Sequence, residues 1–279
     1  MLDNKIKNYV FISAVILLAA LVLRQSLLPI KLHVFAPWSF ETRLRRIIEL
    51  YEQKSPYTKV TLVLGTPGAL IKKIEKSEKP DIYIAMGPNE IEILRELKLT
   101  LSGKEKELLK QTLVLIAPYP SPVEINSLSD LIKEEIKTVG IGQPKLTAGL
   151  KSRKALEKIG LLEKVDKKSK TSPLKSVIFN EVEAAVAYEQ CIYEEDLFKG
   201  EPVIRRGLKV IQHLPPDICE PFPIIATPLR TNIVKQKASS DFVNFLCEEK
   251  AQNILLKKAP FSCPICEIGK NGTCILPQK

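Results

Sequence analysis

The sequence predicts an α/β protein built on mostly parallel sheets, and three observations predict it. Short apolar runs rich in β-branched residues recur along the chain. Most end in a turn that carries Gly, Pro or Thr. Stretches with apolar residues at helical spacing follow those turns. With 279 residues and 45% hydrophobic content, the chain can bury one or two sizeable cores.

Leu32–Ala36 reads as the first strand. Pro37 and Trp38 interrupt it, and apolar residues at 40, 44, 47, 48 and 51 then mark a helix with Ser39 as its expected N-cap. Val60–Leu64 reads as a strand, and a helix over Ala69–Glu78 follows Gly65-Thr66-Pro67-Gly68. Thr66 is the natural cap there and Pro67 the natural first residue, since proline at that position loses no needed hydrogen bond. Asp81–Met86 reads as a buried strand and Pro88–Leu97 as a helix. Thr112–Ala117 is a strand, Leu128–Glu135 a short helix, and Thr138–Ile141 a strand. A helix over Ala148–Ile159 follows, with Thr147 as cap. The region Glu181–Val186 reads as helical. Lys209–Leu214 and Ile224–Thr227 are strands, and one long helix over Ala238–Lys257 comes after them.

Ligands of such sheets sit at the carboxyl ends of the strands. Four hydroxyl-bearing helix starts follow or approach predicted strand ends: Ser39, Thr66, Thr147 with the Ala148 and Gly149 amides, and Thr171-Ser172 before Pro173. Each has a plain explanation as a cap. A helix start also presents unpaired N–H groups and a positive dipole end. If the four converged, they would line a pocket with hydroxyls and backbone N–H groups, suited to a small, fully ionised oxyanion.

The formal charge is +10, with 42 Lys and Arg against 32 Asp and Glu. Most lysines are interleaved with Glu, as in KKIEKSEK, which describes a solvated, ion-paired surface. Aromatic residues make up 6% and none alternate with a basic cluster, so no nucleic-acid platform is expected. Tyr9–Leu23 is an uncharged run of 15 residues preceded by Lys5 and Lys7. That suits a signal-peptide core, or a signal anchor over about 22 residues if Arg24 snorkels. With no small-x-small cleavage site and no following Cys, an uncleaved anchor over residues 9–30 is the preferred reading. The rest of the chain is then exported, to the periplasm or cell surface, tethered to the inner membrane.

Several stretches carry a resemblance. They are VFAPWSF, GTPGALIKKIE, KPDIYIAM, LVLIAP, VGIGQPKLTAGLKSRKALEKIGL, EVEAAVAY and FVNFLCEEKAQNILLKKAPF, in order over about residues 32–261. In them the chain resembles the periplasmic molybdate-binding proteins of ABC importers, within the type II solute-binding fold. The resemblance implies two α/β lobes with an anion clamped between them, crossovers near Leu113–Pro118 and Pro221–Pro228, and a monomer that delivers its ligand to ABC permease subunits. It implies no enzymatic activity and no cofactor, with molybdate or tungstate as the transported ligand. The expected layout is an anchor over 1–30, lobe I over 31–112 plus 226–261, lobe II over 113–225, and a Cys-containing tail over 262–279.

The resemblance also places the anion ligands. The first family serine falls on Ser39, the amide of the P-A-G motif on Ala148, the tyrosine on Tyr188, and a further helix-start amide near Lys170 or Thr171. The family's second serine falls on Pro67, which has neither hydroxyl nor N–H; Thr66 or the Gly68 amide would replace it. Trp38 adds bulk where small residues are usual. These departures, with the anchor and the tail, motivate a rival reading as a sensing or structural protein that has lost anion transport.

Six cysteines remain: Cys191, Cys219, Cys247, Cys263, Cys266 and Cys274. In an exported chain they suggest disulfides; the C-x-x-C pair with Cys274 and Cys247 would also suit a metal, and free thiols are the third option. With only two His and no G-x-S-x-G, P-loop or G-x-G-x-x-G, nothing points to catalysis.

Overall fold

The computed structural model describes residues 29–195, 202–205 and 207–256, together with residue 15 and the short stretches 267–268 and 274–275. Two five-stranded sheets organise the chain. The first contains β1 (Ile30–Pro37), β2 (Thr58–Gly65), β3 (Ile82–Ala85), β4 (Lys106–Gln111) and β12 (Phe222–Pro228), in the order β2-β1-β3-β12-β4. The second contains β5 (Leu113–Pro118), β6 (Val139–Gly140), β7 (Ser169–Lys170), β8 (Ala184–Tyr188) and β11 (Leu208–His213), in the order β11-β5-β8-β6-β7. A two-stranded piece, β9 (Tyr193–Glu195) with β10 (Pro202–Ile204), stands beside them.

Both sheets are mostly parallel, with one reversed strand each. β12 runs against β3 and β4 in the first, and β5 runs against β8 and β11 in the second. Each reversed strand is the one the chain enters on arriving from the other sheet. Thr112 alone separates β4 from β5, and residues 214–221 carry the chain back from β11 to β12. The expected crossover segments Leu113–Pro118 and Pro221–Pro228 are therefore mainly strands, and the turnover points lie just before them. β12 belongs to the first sheet over its whole length, so a boundary at 225/226 falls inside a strand.

The helices are α1 (Glu41–Lys54), α2 (Pro67–Glu75), α3 (Pro88–Glu96), α4 (Thr147–Lys158), α5 (Leu162–Asp166), α6 (Pro173–Ile178), α7 (Ile233–Phe245) and α8 (Glu249–Leu256). α1 buries Leu44, Ile47, Ile48 and Tyr51, the apolar stripe read from the sequence. Thr66 caps α2 as expected, its hydroxyl oxygen accepting from the Ala69 N–H at 3.3 Å.

Several expectations are corrected. Ser39 is not an N-cap: Trp38–Phe40 form a 3-10 turn, and α1 starts after Phe40 with no side-chain cap. Thr147 is the first helical residue of α4 rather than its cap, because its hydroxyl is engaged elsewhere. Ser172 precedes Pro173 at the start of α6 but makes no side-chain cap. Leu128–Ile132 is a 3-10 segment. Glu181–Val186 is not helical: Ala184–Tyr188 is a central strand buried on both faces. Its alanines favour a helix by propensity, but their small size lets β8 fit between two packed layers, and packing overrides propensity. The long terminal helix is two helices. α7 packs on β1 and β12, whereas α8 packs on α1 and β4, and the break at Leu246–Glu248 redirects the chain between them. β4 escaped the sequence reading because KELLKQ shows no clean alternation. Ile30 belongs to β1; the rest of the expected anchor falls outside the described residues apart from residues 15 and 29, and no helix among the described residues is long and apolar enough to cross a membrane.

Asp81, at the entry to β3, ties the first sheet together. Its buried carboxylate accepts from the His33 N–H at 2.8 Å and from Lys235 Nζ at 2.9 Å, and the Leu229 N–H donates to its carbonyl. Removing the carboxylate leaves the part-buried His33 N–H and Lys235 ammonium without their partner. Asp81→Ala is expected to lower stability by about 2 kcal/mol, measured by denaturant unfolding; a loss below about 0.5 kcal/mol would show that the pair adds nothing.

Candidate ligand-binding cleft

The carboxyl ends of five parallel strands open onto one cavity of about 220 Å³. β1 leads into Pro37-Trp38-Ser39, β2 into Thr66-Pro67-Gly68, β6 into Gly142-Gln143, β7 into Thr171-Ser172, and β8 ends at Tyr188. All of these residues line the cavity, as does Ala148 at the start of α4. The six positions singled out from the sequence, Ser39, Thr66, Gly68, Ala148, Thr171 and Tyr188, are thus brought together. They come from both sheets, which is why no local stretch could reveal their convergence.

On the first-sheet side, Ser39 Oγ accepts a long contact from Cys191 Sγ at 3.6 Å, which leaves the serine hydrogen free to be donated. Its carbonyl accepts from the Arg43 guanidinium at 2.9 Å. Arg43 is buried, stacks 4.2 Å over the Phe40 ring, and also donates to Gln190 Oε1 and the Leu255 carbonyl. Burial lowers its pKa to about 10, so it stays charged at neutral pH. No carboxylate stands among these partners, and one of them is the Ser39 carbonyl at the cavity. Gly68 faces Gln143 across the cleft; a Cβ there would lie 2.9 Å from Gln143 Nε2.

On the second-sheet side the donors are already engaged. The Ala148 N–H donates to the Tyr188 hydroxyl oxygen at 2.9 Å, and Tyr188 donates to Glu90 Oε1 at 2.9 Å. Burial holds the Tyr188 phenol well above its usual range, so it remains protonated. The sequence reading had both groups donating to the anion; in this structure both hydrogens point into the protein.

Sequence reasoning missed Gln143, Lys175 and Arg205, which line the cavity, and Arg43 and Glu90 behind it. Gln143 had a signal, since it lies in the GQPKLT run before α4. Arg205 had none: it reaches the cavity through β10 and donates its Nε hydrogen to the Cys191 carbonyl at 2.9 Å. Cys191, Cys219 and Cys247 carry free thiols, and among the described residues no group of side chains is arranged to hold a metal. Cys263 and Cys266 lie outside the described residues, and Cys274 is described only as the start of a two-residue strand.

The profile of bacterial extracellular solute-binding proteins matches residues 32–258, most of the chain. The chain belongs to this family. A relative of this solute-binding protein is the molybdate-binding protein ModA of Haemophilus influenzae, 27% identical over 240 residues, covering 81% of this chain and 88% of the relative. Among solved structures, the periplasmic molybdate-binding protein of Azotobacter vinelandii superimposes with a TM-score of 0.62 at 15% identity, covering 88% of this chain and all of that one. The sulfate-binding protein SubI of Mycobacterium tuberculosis gives a TM-score of 0.62 at 12% identity, covering 81% and 84%. At these identities the structures establish the fold: the two sheets with a cleft between them are the solute-binding architecture. Members of the family are solute-binding transport proteins rather than enzymes, and they act outside the cytoplasm.

Proposed function

We propose that this solute-binding protein captures a tetrahedral oxyanion, molybdate or tungstate, between its two sheets and delivers it to the permease of an ABC importer. The observation that carries this reading is the convergence of strand-end turns from both sheets, with their hydroxyl-bearing residues, on one cavity, with Arg43 behind Ser39 and Arg205 at the wall. Ser39, Thr66, the Gly68 amide and the Thr171 region are the donors, and Tyr188 joins them once its hydrogen turns from Glu90 to the ligand, with Ala148 as the wall that holds its hydroxyl. Pro67 supplies none, and Thr66 takes over: its oxygen accepts from Ala69 while its hydrogen is left to donate. The name of the Haemophilus relative supports the choice of molybdate. A cavity of about 220 Å³ would hold on the order of seven waters, more than the four oxygens of a tetraoxoanion fill. Closure of the two sheets about the Thr112 and 214–221 crossings would therefore bring the donors onto the ligand. The chain acts as a monomer, tethered to the inner membrane by the segment from residue 9 to the start of β1.

The test is thermal unfolding of the full chain, titrated separately with molybdate, tungstate, sulfate and phosphate. A ligand held only by the folded form, at about 100 times its Kd, adds roughly 2.7 kcal/mol. A rise in Tm with molybdate or tungstate, and a smaller one with sulfate and phosphate, is expected. No shift with any of the four at millimolar concentration would overturn the reading.

A further inference from the structure

Glu90 has no place in the expected ligand set, yet it touches the cleft from behind. It lies on α3, which follows β3 of the first sheet, and its carboxylate is fully buried. It accepts from three donors of the second-sheet side: Thr147 N–H at 3.2 Å and Tyr188 Oη at 2.9 Å on Oε1, and Thr147 Oγ1 at 2.5 Å on Oε2. The Asn89 N–H donates to Thr147 Oγ1 at 3.0 Å, while the threonine hydroxyl donates to Glu90. All hydrogens in this chain of contacts, from Ala148 N through Tyr188 Oη, therefore run towards the carboxylate and away from the cavity.

An anion seated on Tyr188 needs that hydrogen. Turning it outward strips a buried carboxylate of one donor and sets a dianion one hydroxyl away from a second negative charge. Both difficulties end if Glu90 takes a proton. The acid then donates from Oε1 to Tyr188 Oη, the Tyr188 hydrogen turns to the anion, and Oε2 keeps its bond from Thr147. We propose that Glu90 is the positioning residue of Tyr188 and that anion capture is coupled to the uptake of one proton by its carboxylate. No covalent bond other than that O–H is made or broken, and the proton comes from solvent. This inference rests on the oxyanion reading of the cleft.

The surroundings fit. The titratable groups that face Glu90 are Tyr188 from β8, with Cys191 beyond it, and Tyr83 from β3, whose buried hydroxyl has no hydrogen-bond partner. Burial pushes both phenols and the thiol up, so all three are neutral. Among the described residues no ion pair reaches Glu90, and burial raises its pKa from the ordinary carboxylate value.

The test is isothermal titration of molybdate into the full chain in detergent, between about pH 6.5 and 8.5, in two buffers of different ionisation enthalpy. Close to one proton should enter per anion at the upper end, with Kd rising about tenfold per pH unit above the pKa of Glu90 in the unliganded chain. Glu90→Gln, which keeps size and acceptor, should bind with a flat pH profile and no proton uptake. Should that variant fail to fold, Tyr188→Phe serves instead: it removes the hydroxyl that links Glu90 to the anion and should abolish the uptake while weakening binding. A merely structural Glu90 would leave the proton count unchanged. Wild-type binding without proton uptake, or a Glu90→Gln protein that keeps the wild-type slope, would overturn the coupling and leave the oxyanion reading standing. No heat from molybdate or any of the other three anions would overturn both.

Discussion

Gly149→Ala is expected to destabilise the protein by about 3 kcal/mol. Helix propensity alone predicts the opposite sign, since alanine inside a helix is favoured over glycine by about 1 kcal/mol. Packing decides it. A Cβ on Gly149 would lie 1.9 Å from the Gln143 carbonyl oxygen and 2.3 Å from that of Gly142. Both obstacles are backbone, so neither can rotate away. The Gly142 carbonyl is further held by Arg153, which donates to it at 2.9 Å and to the Gly149 carbonyl at 3.2 Å. The methyl group must push the start of α4 off the 142–143 loop, carrying Ala148 and Thr147 with it. Denaturant unfolding should show the lost stability, and molybdate should no longer raise Tm by the wild-type amount. A more stable Gly149→Ala protein would mean that the loop yields easily and that propensity wins.

Ser39→Ala should lower affinity for the transported anion by roughly ten- to a hundredfold. A hydrogen bond to a charged group contributes about 1.5–3 kcal/mol, and each 1.4 kcal/mol is a factor of ten. The fold should hardly notice. Among the described residues the Ser39 hydroxyl makes only the 3.6 Å contact with Cys191, and the Arg43 bond goes to the Ser39 carbonyl, which alanine retains. Affinity loss without loss of Tm in the unliganded protein would separate a ligand role from a structural one. Titration calorimetry supplies the first quantity and thermal unfolding the second. An affinity within twofold of wild type would remove Ser39 from the anion site and shift weight to Thr66 and the Gly68 amide.

The two substitutions differ in how far their outcomes could be foreseen. Ser39 is visible in the chain itself, as a hydroxyl just after an apolar strand. Gly149 is visible only as a glycine near a helix start; its constraint comes from a loop that folds back onto the helix. Glu90 was invisible as a site residue, since it sits mid-helix in PNEIEILRE among other glutamates. Spacing gives no sign that this one, and not Glu92, is buried: Glu90 falls on the face with Ile91 and Leu94 that α3 turns inward. The misreading of Glu181–Val186 has a related cause. An alanine-rich run carries a weak local preference for helix, and the neighbours that make it a strand, Leu113–Ile116 on one side and Val139–Gly140 on the other, are far away in sequence.

By itself the sequence determined the alternation of strands and helices, the Thr66 cap, the place of Ser39, Thr66, Gly68, Ala148 and Thr171 at helix starts that follow or approach strand ends, and the absence of local catalytic motifs; Tyr188 came from the family resemblance alone. Those follow from side-chain periodicity and from cap and turn chemistry, which act over a few residues. Only the tertiary structure decided which turns share a cavity, that Arg43 stands behind Ser39, and that the Ala148 and Tyr188 hydrogens point to Glu90. The Ala148–Tyr188, Tyr188–Glu90 and Arg43–Gln190 contacts join residues 40 to 147 positions apart, and the four-residue Arg43–Ser39 contact is fixed by the burial that the last of them provides. A hydrogen bond forms with whichever partner burial places within reach, and burial is a property of the packed sheets, not of the order of residues along them.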